Sequence, residues 1–229
     1  MEQIKRYILA ALFFSLPLYP KFSSLCIIAY AALALITYKK KNLILLWKKR
    51  ELLFFVILYL VLIIGLGYTI NLEIGLQKIQ TQVSFLVFPV LFIDSFSGRK
   101  DRNYFFQCFN WGLLVAVLIC FASAFIELIW GDGMYVVDAF SRKNNIFLYQ
   151  EFSSVLNLHP TYLSLYLGVA LFYLIFGAKL NTKYRQVHWW IMVITFFLVL
   201  FLTSSKAGIF SFIIISFGFQ LYRSFKRKK

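Results

Sequence analysis

Acidic residues are scarce in this 229-residue chain, nine Asp and Glu against 24 Lys and Arg, and the formal net charge is +15. Charged residues make up only 14% of the sequence, with two His, three Cys, four Pro and eleven Gly. Each shortage excludes something. A soluble domain carries about 25% charged residues, so a chain this poor in charge does not fold as a water-soluble enzyme. Cys26, Cys108 and Cys120 are odd in number, show no C-x-x-C spacing and have no nearby His, which excludes a disulfide scaffold and a cysteine metal site. They read as small buried hydrophobes. The glycines form no G-x-x-x-G, Gly65-Leu66-Gly67 is too short for a nucleotide loop, and no repeat of 20 to 50 residues is visible. Lys5 and Arg6 precede the apolar stretch 7–18 as in a signal peptide, but no A-x-A site follows and a second apolar run begins at Phe22. An uncleaved first span is expected.

What the chain has is grease: 61% apolar residues and 20% aromatic, with 27 Phe and 14 Tyr. No interior of a 229-residue protein hides that much, so lipid is the solvent. Backbone facing lipid must bond to itself, and about 20 apolar residues of helix cross a bilayer core. The expected architecture is all-α, a single polytopic membrane domain over residues 1–229 with eight spans at about 4–19, 22–38, 51–68, 79–96, 103–130, 159–178, 188–203 and 207–222. Pro17 and Pro20 shorten the first span and open the way to a re-entrant segment, and Pro89 is expected to kink the fourth. The stretch 43–47, flanked by lysines, is expected on the inner surface against anionic lipid.

Alternate loops must lie on opposite sides of the membrane, so orientation can be counted. With the N-terminus inside, 19 of the 24 Lys and Arg fall on the inner side, and Lys21, Lys78, Arg142, Lys143 and Lys206 fall outside. That bias predicts both termini in the cytoplasm. It also gives the positive charge a purpose other than nucleic acid, which is not expected as a partner.

Three features then gather on the outer side. The connection 131–158 is 28 residues long and mixes Asp132, Asp138, Arg142, Lys143 and Glu151 with Tyr and Phe, which predicts a segment folded onto the outer surface. Arg142 and Lys143 are the one adjacent basic pair outside, suited either to lipid headgroups or to a phosphate. The loop ends at Asn157-Leu158-His159-Pro160-Thr161-Tyr162, where proline at a first helical position places His159 near the N-cap. Helical spacing puts His159, Tyr162 and Tyr166 on one face, either as a structural interface group or as a contact for substrate. His188 has the weaker case, because Trp189 and Trp190 beside it read as an aromatic belt. Thr203-Ser204-Ser205-Lys206-Ala207-Gly208 interrupts an otherwise apolar run of 35 residues. One helix of that length would be about 52 Å, so the interruption is a turn. Ser204 or Ser205 can cap the next helix while its free N–H groups and Lys206 offer an anion site, unless Lys206 merely snorkels to water.

A long outer loop, His-Pro-Thr-Tyr opening a span (His159 to Tyr162) and Leu-Thr-Ser-Ser-Lys-Ala-Gly one hairpin later (Leu202 to Gly208) resemble the O-antigen ligase and polymerase family of bacterial surface-glycan assembly. The His-Pro-Thr-Tyr and Ser-Ser-Lys forms look like those of Bacteroidetes-type bacteria. The resemblance covers most of the chain in topology and about a dozen residues in motif. It implies a metal-independent and cofactor-independent glycosyltransferase of the bacterial inner membrane. Such an enzyme takes a glycan from undecaprenyl diphosphate on the periplasmic side, with lipid A-core as acceptor in a ligase or a growing chain in a polymerase. By position Lys206 matches the basic residue of the family's Ser-Arg motif and His159 the His before Pro. Arg142, Lys143, Tyr162, Ser204 and Ser205 join them as candidate diphosphate or glycan contacts from the residue reading above. The catalytic base is not assigned. Family members run to nearly twice this length with a second large periplasmic loop, so the chain resembles their N-terminal half, and the base is expected in the part it lacks.

Two other classes stay open. A transporter or flippase subunit for a lipid-linked anion should carry ionisable groups at midplane, yet the deepest acids, Asp94 and Glu127, lie near span ends. A purely structural membrane partner of another glycan enzyme is the third reading.

Overall fold

The computed structural model describes residues 1–37, 50–83, 85, 99–130, 146–177 and 183–227. Arg142 and Lys143, the stretch 43–47, the kink at Pro89 and Asp94 lie outside the described residues. Among those described the chain is helical throughout, with no strand. Three helices are long and apolar enough to cross a membrane, 100–130, 160–177 and 206–226, and 20–36, 53–68 and 186–202 are shorter apolar helices. The chain is a membrane protein.

It divides into two compact units, 1–9 with 25–102 and 10–24 with 103–229. The first unit holds most of α2 (Pro20–Ile36), then α3 (Arg50–Gly65) and α4 (Leu72–Gln82). α3 exposes Phe54, Phe55, Ile57, Leu60, Val61 and Ile64, which only lipid or another apolar surface can cover. A 3₁₀ turn at Leu66–Tyr68 ends it. Helix α4 then starts within what the sequence read as a loop, because Asn71 caps it by accepting from the Ile74 N–H at 3.2 Å and Glu73 sits in its first turn. The expected fourth span, 79–96, is described only at its start, where it finishes α4. In this unit Arg6 of α1 (Glu2–Ser15) pairs with Asp101 of α5 (Arg99–Trp130) at 3.5 Å, both half exposed, so the pair contributes little.

The second unit carries the core. α1 stops at Ser15 because Pro17 cannot continue it, four residues before the expected end of the first span. The turn is closed by Ser15 Oγ and Ser23 Oγ, 3.1 Å apart and both buried. Phe13 stacks on Phe105 of α5, and Gly112 of α5 lies so close to the Phe14 carbonyl that a β-carbon would overlap it. α5 is 32 residues, about 48 Å, longer than the bilayer core. With it α6 (Tyr149–Ser154), α7 (Pro160–Phe172) and α8 (Lys183–Leu202) enclose Phe109, Leu113, Val117, Leu163, Leu167 and Phe196, and α9 (Lys206–Arg227) packs on α7. Lipid is as apolar as these side chains, so close fit and internal hydrogen bonds hold the helices together.

α7 does not run to its end as a plain α-helix. It passes into a π turn at Tyr173–Gly177, where Trp189 Nε1 donates to the Leu174 carbonyl at 2.8 Å and Tyr173 stacks on Phe106 with centroids 4.6 Å apart. α8 begins at Lys183, five residues before the expected seventh span.

Candidate functional site

Of the long connection, residues 146–158 are described, and they fold onto α5. Phe147 meets Phe125 and Phe152 meets Phe121, edge to face at 5.4 and 5.1 Å, and Phe147 and Phe152 are buried. Asn157 takes a positive φ of 52° after α6, and Leu158 is buried beneath it. That turn delivers the chain to His159.

His159 is the N-cap of α7 with Pro160 at the first helical position, as the sequence implies. Its Nδ1 accepts from the Thr161 N–H at 3.3 Å, so the neutral ring carries its proton on Nε2. The ring is exposed and meets Tyr162 edge to face at 6.4 Å. Tyr162 is exposed as well, whereas Tyr166 turns inward against Phe109, so the phenols divide between the surface and the core.

The turn between α8 and α9 separates the two serines. Ser204 adopts a positive φ of 47°, and its hydroxyl donates back to the Phe201 carbonyl at 3.4 Å. It ends α8. Ser205 is buried, and its Oγ accepts from the Gly208 N–H at 3.4 Å, which makes it the cap of α9. Thr203 is fully buried and donates to the Leu200 carbonyl at 2.8 Å. Lys206, the first residue of α9, is exposed.

These two helix starts are neighbours. A β-carbon on Gly208 would overlap Oγ and Cβ of Ser164, and one on Gly168 would touch Phe212 Cβ at 3.6 Å. Phe172 and Phe176 both meet Phe219, at 5.2 and 5.1 Å. Residue numbers rise together along both helices, so α7 and α9 run parallel and their N-termini emerge at the same end of the unit. Ser164 lies about 7.5 Å below His159 along its helix and Gly208 about 3 Å below Lys206. One end of the unit therefore combines two positive helix termini, an imidazole, a phenol and an ammonium; the first N–H groups of α7 are already taken by His159, so the donors there are side chains. Such a constellation can hold an anion and present hydrogen-bond donors to it.

Sequence reasoning missed Ser164 and Asn110. Ser164 is buried, and its hydroxyl donates to Thr161 O at 2.8 Å, so it gives no surface signal. Asn110, within the apolar part of α5, is 2% exposed, and its Oδ1 has no hydrogen-bond partner among the described residues. A polar amide inside a span was the available signal. Among the described residues no group of three His, Cys, Asp or Glu could hold a metal. Compared with protein-family models, curated proteins and solved structures, the chain has no match in any of the three.

Proposed function

We propose that this chain is an O-antigen ligase-like membrane glycosyltransferase, or the N-terminal part of one, that takes a glycan from undecaprenyl diphosphate for transfer to lipid A-core. The observation that carries the reading is the joining of the two motif segments. His159-Pro160-Thr161-Tyr162 and Ser204-Ser205-Lys206, with the 41 residues 163–203 between them, open adjacent parallel helices locked by the Ser164–Gly208 contact.

In this reading Lys206 and the positive start of α9 bind the diphosphate, with Arg142 and Lys143 as further cations. His159 and Tyr162 contact the diphosphate or the first sugar. Neutralising the diphosphate as it departs lowers the barrier to transfer, because donors already aimed at developing charge need no reorganisation. A polymerase using a growing glycan as acceptor would employ the same end of the unit. A flippase subunit would need ionisable groups deep in its spans, and the cationic groups here gather at a helix end instead.

The accompanying topology is eight spans in the bacterial inner membrane, both termini cytoplasmic and the α7 and α9 starts periplasmic. The charge count supports it.

The test is genetic. Deleting the gene should shorten or remove surface-glycan ladders on a gel, and plasmid-borne wild type should restore them while Lys206→Ala should not. Unchanged ladders on deletion contradict the reading.

A further inference from the structure

The opposite end of the second unit carries charge that the proposed chemistry does not use. After Glu151 the sequence contains no Asp or Glu at all, yet it holds nine Lys and Arg. One, Lys206, starts α9. The other eight are Lys179, Lys183, Arg185, Arg223, Lys226, Arg227, Lys228 and Lys229.

The register of the helices brings five of these positions to one level. Leu174 of the π turn accepts from Trp189, and Phe172 and Phe176 on either side of it meet Phe219. Trp189 and Phe219 therefore lie at the same height. Four to six residues back from Trp189 are Arg185 and Lys183, and four to eight residues on from Phe219 are Arg223, Lys226 and Arg227. At about 1.5 Å per residue, both groups lie about 6–12 Å beyond that shared level. Arg223 is also 17 residues, about 26 Å, from Lys206, close to the thickness of a bilayer core. Arg223 and Lys226 are exposed, and Trp190, Tyr222 and Phe225 are more than half exposed around them, as aromatic side chains at a membrane boundary are.

We infer that this end of the α8–α9 hairpin binds the headgroups of anionic glycerophospholipids. No carboxylate in the last 78 residues can neutralise the cluster, and its height puts it in the headgroup layer, where the available anions are lipid phosphodiesters. The inference stands on charge and register and is independent of the glycan reading.

The test is lipid retention by the purified full chain, equilibrated with equal phosphatidylglycerol and phosphatidylcholine and read by native mass spectrometry. Phosphatidylglycerol should be enriched several-fold, and the enrichment should fall about tenfold or to parity in Arg223→Gln/Lys226→Gln/Arg227→Gln. Arg223→Lys/Arg227→Lys should keep it, as should Lys21→Gln/Lys78→Gln. Raising salt to 0.5 M on the wild type should erode it and guards against a variant that misfolds. Equal retention of the two lipids by the wild type overturns the inference. So does a triple variant that folds and keeps the enrichment, or a 20-base-pair DNA duplex that displaces the phosphatidylglycerol.

Discussion

Gly208 and Ser164 fill one space between α9 and α7, and no β-carbon fits between them. Gly208→Ala should therefore force the helix starts apart and lower stability by about 1–3 kcal/mol. Ser164→Gly in the same chain removes the overlapping atoms and should recover part of the loss. Thermal unfolding in detergent, followed by size-exclusion chromatography, reads both. Additive losses would show that the two residues do not meet.

The two serines of the turn should behave oppositely. Ser205→Ala removes the cap of α9 and should cost about 1 kcal/mol. Ser204→Gly relieves a left-handed residue of its β-carbon and should be neutral or stabilising by up to about 1 kcal/mol. Unfolding midpoints of the two variants check the sign of each.

His159 combines a cap with an exposed ring, and one substitution separates them. His159→Asn keeps a side-chain acceptor for Thr161, so the protein should fold with near wild-type stability, while glycan transfer falls. His159→Ala should lose both, the stability by about 1 kcal/mol. Glycan ladders beside unfolding midpoints distinguish the outcomes, and wild-type ladders from His159→Asn would limit the residue to its cap.

Asn110 buries a carbonyl oxygen with no partner among the described residues. Asn110→Leu removes the desolvated group and should leave stability unchanged or raise it by about 1–3 kcal/mol. A clear loss of stability on thermal unfolding would show that Oδ1 has a bonding partner in the membrane.

The sequence was legible where one local rule decided the matter. Pro160 after a polar loop fixes the start of α7 and the capping position of His159, and Pro17 and Pro20 bracket the break between α1 and α2. The Ser-Ser-Lys interruption shows the turn before α9, since no single helix could run through 35 apolar residues and remain within a bilayer. The assignment of Ser205 as cap was not legible, because either serine satisfies the pattern and the choice depends on which takes the positive φ. Nor was α4, because Leu72, Leu76 and Ile79 share a helical face within a segment whose mean polarity reads as loop. The meeting of Ser164 with Gly208 joins residues 44 apart and depends on the parallel packing of two helices, which no local pattern encodes.

The central claim is that the adjoining starts of α7 and α9 bind a lipid-linked diphosphate for glycan transfer. Its most direct test is binding of undecaprenyl diphosphate to the purified full chain in lipid nanodiscs, for wild type and for Lys206→Ala. The account predicts saturable binding that competes with inorganic diphosphate and weakens about tenfold or more in Lys206→Ala, as expected for loss of a charge-assisted contact. Absence of saturable binding by the folded wild type, or equal affinity in the variant, would contradict it.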